Sequence, residues 1–289
     1  MRVWRDVAAM RRDLLSHRRA GRAVGLVPTM GALHPGHLSL VARAVRECDV
    51  VVASVFVNPL QFAPGEDLES YPGDPEGDAE LLESAGVAAM FAPPPERFTP
   101  PGRRTTVHVD GLTDGLEGAS RPTHFDGVTT IVSKLLHAAW PDRAYFGEKD
   151  YQQLVVVRVM ARDLDMPVEI VGCPVVREPD GLAWSSRNMR LSASQRVHAV
   201  ALSAALRAAA ESWTGDADAA RRSLRSTLAA APGVRLDYAE VVDPETLEPL
   251  AGTVEGPVRA LVAAWVGTTR LIDNMPLGSE GAGRGRAGR

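Results

Sequence analysis

The chain has 289 residues, 45% hydrophobic and 24% charged, with a formal net charge of −4, a composition that suits one large globular domain or two of ordinary size. No basic stripe stands out, which argues against extended nucleic-acid binding, and the only two cysteines, Cys48 and Cys173, stand too far apart to suggest a metal-ligand spacing or a disulfide framework. Charges run throughout the first twenty residues and no stretch approaches the ~18 apolar residues of a membrane span, so the expectation is a cytoplasmic protein with neither membrane nor nucleic acid as partner.

In chain order, residues 24–28 (VGLVP) read as a short buried strand and 36–47 as a helix with Leu38, Val41 and Val45 on one face. The run 49–57 (DVVVASVFV) has the β-branched, nearly uninterrupted apolar pattern of a strand buried on both sides. A helix over 75–85, a strand over 87–92 and a helix over 126–139 follow, the last with Asp126 as its expected N-cap. A strand at 143–146, a helix at 150–164 and a strand at 168–172 complete the alternation. Repeated βα units predict a doubly wound parallel sheet of the Rossmann-like α/β class, which binds ligands at the carboxyl ends of its strands. Beyond about residue 176 the composition shifts. Residues 193–231 are Ala-rich and helical, split by Thr214-Gly215-Asp216, and strand-like runs occupy 234–242, 257–266 and 269–273. The predicted organisation is a domain over 1–175, a smaller α+β C-terminal domain over 176–277 and a disordered tail over 278–289.

Four segments carry chemistry. Pro28-Thr29-Met30-Gly31-Ala32-Leu33-His34-Pro35-Gly36-His37 lies between the first strand and its helix. Its glycines permit close backbone approach, and the helix start offers unpaired N–H groups to a phosphate. His34 and His37 fall on one face if the turn is already helical; the plainer readings are two surface histidines or a metal pair lacking a third ligand. No P-loop or dinucleotide fingerprint is present. At the end of the 49–57 strand, Asn58-Pro59-Leu60-Gln61 supplies a neutral amide that can orient a carboxylate without weakening it as a nucleophile, or else a polar turn. In Phe146-Gly147-Glu148-Lys149-Asp150-Tyr151-Gln152-Gln153, Lys149 is one of only two lysines among 32 basic residues, so a compact ammonium is expected where a planar guanidinium does not fit. Asp150 is the expected N-cap there, and the plainer reading is an ordinary capped helix with a solvated charge cluster. Ser185-Ser186-Arg187-Asn188 follows the turn Pro179-Asp180-Gly181 and is either a mobile phosphate-binding set or a capped surface loop.

Taken in order, PTMGALHPGH, SVFVNPLQF, RPTHFDGV, YFGEKDYQQL, SSRN and the C-terminal GTTRLIDN closely resemble the pantothenate synthetase (pantoate–β-alanine ligase) family, of the nucleotidyltransferase superfamily with an H-x-G-H motif, over residues 1–275. The resemblance implies a homodimer that condenses pantoate with β-alanine using Mg²⁺ and ATP, through a pantoyl adenylate. By matching positions, Met30, Gly31, Ala32, Leu33, His34, Pro35, Gly36 and His37 form a first ATP segment, with His37 the proton donor. Gly147, Glu148, Lys149 and Asp150 form a second, and Val176, Trp184, Ser185, Ser186 and Arg187 a third. His34, His37, Lys149, Ser185, Ser186 and Arg187 are the expected catalytic set. Gln61 and Gln153 match the pantoate glutamines, with Gln61 also near β-alanine, and Asn58, Tyr71 and Arg121 line the same pocket. Asp78 is the candidate Mg²⁺ ligand, the rest of that ligand set being open. Two positions depart from the family: Trp184 stands where Met is usual, and Gly73 where Arg is usual. Two other functions compete. A plain nucleotidyltransferase would need a basic pocket for a phosphate-bearing substrate, which Gln61 and Gln153 do not suggest. A binding protein that keeps the fold without turnover would release no pyrophosphate.

Overall fold

The computed structural model describes residues 1–62, 68 and 73–278; Tyr71 and the tail from 279 onward lie outside them. The chain divides into two compact units, Met1–Val176 and Arg177–Arg289.

The first unit is built on a six-stranded parallel sheet. Its strands are β1 (Arg2–Trp4), β2 (Val24–Thr29), β3 (Val50–Val55), β4 (Ala89–Phe91), β5 (Arg143–Gly147) and β6 (Glu169–Cys173), in the order β1-β4-β3-β2-β5-β6. The order reverses at β2, where the neighbours lead outward to β3 on one side and to β5 on the other. A crevice forms at the carboxyl ends of strands at such a switch point. Val50, Val51, Val52 and Ala53 are all buried, as a central strand covered on both faces requires. Helices α2 (Pro35–Glu47) and α3 (Pro75–Ser84) contribute Leu40, Val41, Ala44 and Leu82 to one core with Val27, Val51, Met90 and Val171. Helices α1 (Val7–Arg19), α6 (His124–Ala139) and α7 (Tyr151–Asp163) pack on one another and on β2, β5 and β6. Two short helices, α4 (Pro95–Phe98) and α5 (Glu117–Ser120), lie in the connection between β4 and α6.

The far end of α2 is anchored by polar groups. Arg43 donates to Glu47 (2.9 Å) and to the Gly172 carbonyl (2.7 Å), and the Tyr145 hydroxyl donates to Glu47 (3.1 Å) and lies 3.3 Å from the Cys48 thiol. Burial, before any other influence, pushes the Tyr145 hydroxyl pKa up, so the hydroxyl keeps the proton that it donates to Glu47. It ties the helix that begins at His34-Pro35 to the β5–β6 edge.

The sequence pattern misses β1 and α1. Three residues are too few for an alternation to register, and α1 breaks its apolar positions with two charged clusters, leaving only Met10 and Leu14 buried. Asp126 is not the cap of α6. The helix starts two residues earlier, Thr123 occupies the N-cap without a side-chain bond, and Asp126 sits in the first turn facing His108 at 2.6 Å. The turn Arg121-Pro122-Thr123 already curls into the helix, with His124 N–H bonded to the Arg121 carbonyl. A cap carboxylate is therefore not needed to start it.

The second unit is an antiparallel sheet of β7 (Val234–Val242), β8 (Val258–Val266) and β9 (Thr269–Leu277), packed by α8 (Ala193–Glu211) and α9 (Ala217–Ala230). Ser192 and Gln195 close a reciprocal capping box at the start of α8. Strand β9 runs four residues past its expected end. Asp273 closes the expected strand and Asn274 lies just beyond it, yet both are buried within β9. Asp273 is held by Arg177 at 2.6 and 3.0 Å, and Asn274 accepts from Arg259 at 2.6 Å. Buried polar side chains with satisfied partners are compatible with a strand, and neither residue type announces a partner that distant in sequence.

Candidate active site

The Met30–His37 turn leaves β2 at the switch point and is shaped by one buried carboxylate. Asp78, on α3 and 3% exposed, accepts from the Ala32 N–H (3.0 Å) and the Leu33 N–H (2.8 Å). Those amides converge because Gly31 and Ala32 both have positive φ, 85° and 50°. A side chain at Gly31 would place its Cβ 2.7 Å from Asp78 Oδ2, so only glycine fits. Burial raises the Asp78 pKa and the two N–H bonds oppose the rise. The candidate Mg²⁺ ligand thus has each oxygen engaged by a backbone amide. Among the described residues no group of three or more His, Cys, Asp and Glu side chains is arranged to hold a metal.

His34 is the N-cap of α2. Its Nδ1 accepts from the Gly36 N–H at 3.1 Å, so in the neutral ring the proton sits on Nε2, which becomes the outward donor. The His37 ring stacks on it at 4.0 Å between centroids, and among the described residues the buried His37 Nδ1 has no hydrogen-bond partner. Desolvation above all, then the neighbouring His34, hold the His37 pKa down to about 3; Asp150 acts upward on it and Lys149 downward. The end of β5 therefore brings Lys149 and Asp150 within electrostatic reach of the histidine pair. Lys149 itself lies 3.8 Å from the Asp150 carboxylate. Asp150 is the N-cap of α7 by position, but its side chain makes no cap bond. Two separate strands, β2 and β5, thus deliver two imidazoles and an ammonium to one place.

The amide cluster joins the same turn. Gln61 donates from Nε2 to Met30 Sδ at 3.1 Å and accepts from Asn58 Nδ2 at 3.0 Å. Asn58, buried, also donates to the Gly127 carbonyl at 3.0 Å. Gly127 allows this approach, since a Cβ there would lie 2.3 Å from the Leu60 backbone. The Gln61 carbonyl accepts from Arg121 and from His124, each at 3.1 Å. Met30, Asn58, Gln61 and Arg121 are thereby brought together.

The two adjacent glutamines of α7 differ sharply. Gln153 is half-buried, and among the described residues no hydrogen bond engages its amide. Gln152 is 3% exposed and fully engaged: it accepts from the Glu117 N–H and donates to the Leu112 and Gly115 carbonyls, all at 2.9 Å. It pins the loop leading to α5, where Leu116 holds a positive φ of 55°. Gln152 and His124 are the functional neighbours that the sequence reading misses; both lie inside quoted motifs but carry no spacing signal of their own.

Val176 closes the first unit, and Trp184, Ser185, Ser186 and Arg187 belong to the second. There Ser185 Oγ accepts from the Arg187 N–H at 3.2 Å, capping a single 3₁₀ turn over Ser186–Arg190. Asn188 fastens the turn by donating to Glu178 (2.8 Å) and to the Ala183 carbonyl (3.0 Å). Gly73, exposed, has nothing within 4 Å of a Cβ built on it, so the described residues assign it no contact.

A doubly wound sheet whose switch-point turn carries H-x-G-H, with a lysine at the end of the next strand, defines a Rossmann-like α/β protein. The pantoate-beta-alanine ligase family model matches residues 2–276. Pantothenate synthetase of Moorella thermoacetica is 50% identical over 280 residues, covering 96% of this chain and 99% of that protein. The crystal structure of pantothenate synthetase from Thermus thermophilus superposes with a TM-score of 0.90 at 52% identity, covering 95% of this chain and 99% of that one. Francisella tularensis pantoate-beta-alanine ligase, complexed with beta-gamma ATP and beta-alanine, superposes at 0.76 with 33% identity over 95% and 97%. The chain belongs to the pantoate-β-alanine ligase family.

Proposed function

We propose that this chain joins pantoate to β-alanine at the expense of ATP, in two steps. The pantoate carboxylate attacks the α-phosphorus, the bond to the β-phosphate breaks and pyrophosphate leaves. The amine of β-alanine then attacks the acyl carbon of the adenylate, loses a proton and expels AMP.

The observation that carries this reading is the stacked His34–His37 pair at the start of α2, within electrostatic reach of Lys149. His34 offers an Nε2–H fixed by its cap bond. His37, neutral at pH 7, offers an N–H as a hydrogen-bond donor, and arrival of phosphate charge would raise its pKa and strengthen that bond. Lys149 supplies the charge that offsets the negative oxygens as the transition state forms. Gln61 and Gln153 hold pantoate, with Gln61, Asn58 and Arg121 toward β-alanine; neutral amides leave the attacking carboxylate nucleophilic. Ser185, Ser186 and Arg187 receive the leaving pyrophosphate, and Val176 and Trp184 take the adenosine side. Mg²⁺ arrives on the ATP phosphates as part of the substrate, with no protein cage proposed for it. The working form is a cytoplasmic homodimer; sedimentation of the purified protein tests the dimer.

The decisive assay follows both products. ATP with pantoate gives pyrophosphate, and free AMP accumulates only when β-alanine is added. Steady AMP release without β-alanine, or no pyrophosphate at all, would sink the reading.

A further inference from the structure

We infer that His124 is a positioning residue for the amine substrate: it holds the Gln61 carbonyl and aligns the Arg121 guanidinium to receive the carboxylate of β-alanine, without touching the reacting atoms. The inference rests on the function proposed above.

The ring is 9% exposed, at the first residue of α6. Its Nδ1 lies 3.1 Å from the Gln61 carbonyl, which can only accept, so Nδ1 carries the proton. Nε2 is then a lone-pair acceptor, and it faces Arg121 Nη1 at 3.4 Å. Arg121 closes the triangle by donating from Nη2 to the same Gln61 carbonyl at 3.1 Å. Phe125 packs edge-on against the ring at 5.0 Å and restricts its tilt. Burial first, and then the guanidinium charge, hold the ring neutral, with a pKa of about 4. Protonation would turn an accepting nitrogen into a second donor aimed at a cation.

The consequence reaches two groups at once. Gln61 is gripped through its carbonyl by His124 and Arg121, while its amide is set against Met30 and Asn58. The guanidinium is fixed by the ring nitrogen that accepts from it. A planar cation held in one orientation is suited to a carboxylate, the one charged group that an amino acid carries besides its reacting amine. Orientation established before binding lowers the ordering cost of the complex.

The test uses the full chain with His124→Ala and His124→Asn. An asparagine amide can replace the Nδ1–H bond to Gln61 but does not reach the Nε2 position. In His124→Ala the KM for β-alanine is expected to rise about 10-fold or more, with kcat and pyrophosphate release from ATP and pantoate within about 3-fold of the parent. In His124→Asn the β-alanine KM stays raised while the pantoate KM matches the parent value. A purely structural role predicts a lowered melting temperature with parallel loss of every parameter, and that result overturns the inference. So does an unchanged β-alanine KM in either folded variant; if the alanine variant fails to fold, the asparagine variant decides. Absence of AMP release by the parent protein would instead remove the proposed function, and the inference with it.

Discussion

The Met30–His37 turn and the Trp184–Arg190 segment are both candidates for holding phosphate, and they are built in opposite ways. The first is shaped from a distance: Asp78, more than forty positions along the chain, holds two amides of a turn with two positive-φ residues in succession. The second is held by near neighbours, with Ser185 capping its own turn and Asn188 reaching back to Ala183 and Glu178. A turn fixed by a buried carboxylate keeps its donors aimed before any ligand arrives. A turn capped by Ser185 and fastened by Asn188 takes its shape from side-chain bonds that span ten residues or fewer. The contrast separates a half held rigid by a distant carboxylate from a half held by its own neighbours.

The largest expected effects test whether both halves serve one triphosphate. Lys149→Ala and His37→Ala should each slow pyrophosphate release at least ~100-fold, with circular dichroism and melting unchanged. Ser186→Ala combined with Arg187→Ala should cost a comparable factor in the same assay. Parent-like rates in the serine–arginine variant would confine the chemistry to the first half and break the comparison.

Stability separates the halves next. Asp78→Ala strands two amides and should cost about 2–3 kcal/mol in urea unfolding, because unmet buried donors are expensive. Asn188→Ala removes bonds of a local clamp and should cost about 1 kcal/mol. Equal losses would mean that the two turns are built alike after all. A smaller effect distinguishes the adjacent glutamines of α7. Gln153→Ala should raise pantoate KM about 10-fold with stability intact, whereas Gln152→Ala should lower the melting temperature by several degrees through the loop it pins. Reversed outcomes would exchange their roles.

What the sequence made legible follows the same division. The alternation of apolar runs located β2, β3, β5 and β6 and the helices α2, α3, α6 and α7 to within two residues, because buried strands and amphipathic helices carry their period in their own side chains. The motif positions of the first unit came out adjacent: Met30 touches Gln61, and Lys149 acts on His37. The supports behind them were not legible. Asp78 is singled out only as a candidate Mg²⁺ ligand, and Gln152 and His124 appear only as members of quoted motifs. Each is defined by a partner 35 or more positions away, and a single chain shows no local trace of such pairings. Asp273 and Asn274 were misread as the end of a strand for the same reason.

The gentlest test of the rigid half is a proton. His37 and His124 sit in the fold with pKa values held at about 3 and about 4, far below the ~6.5 of an unfolded chain. As pH falls below 6.5 the unfolded chain takes up protons that the folded protein refuses, so stability drops until the folded pKa values are reached. Between pH 7 and 6 each histidine should cost less than about 1 kcal/mol, read as a small fall in the urea midpoint. His37→Gln, which cannot titrate, should show a shallower fall than the parent. A non-hydrolysable ATP analogue should flatten the parent's curve as well, because the His37 ring then faces anionic oxygens and its pKa climbs toward the unfolded value. Identical slopes in parent and variant would mean that the His37 ring is reached by water in the folded protein, and the preorganised donor assigned to it would lose its physical basis.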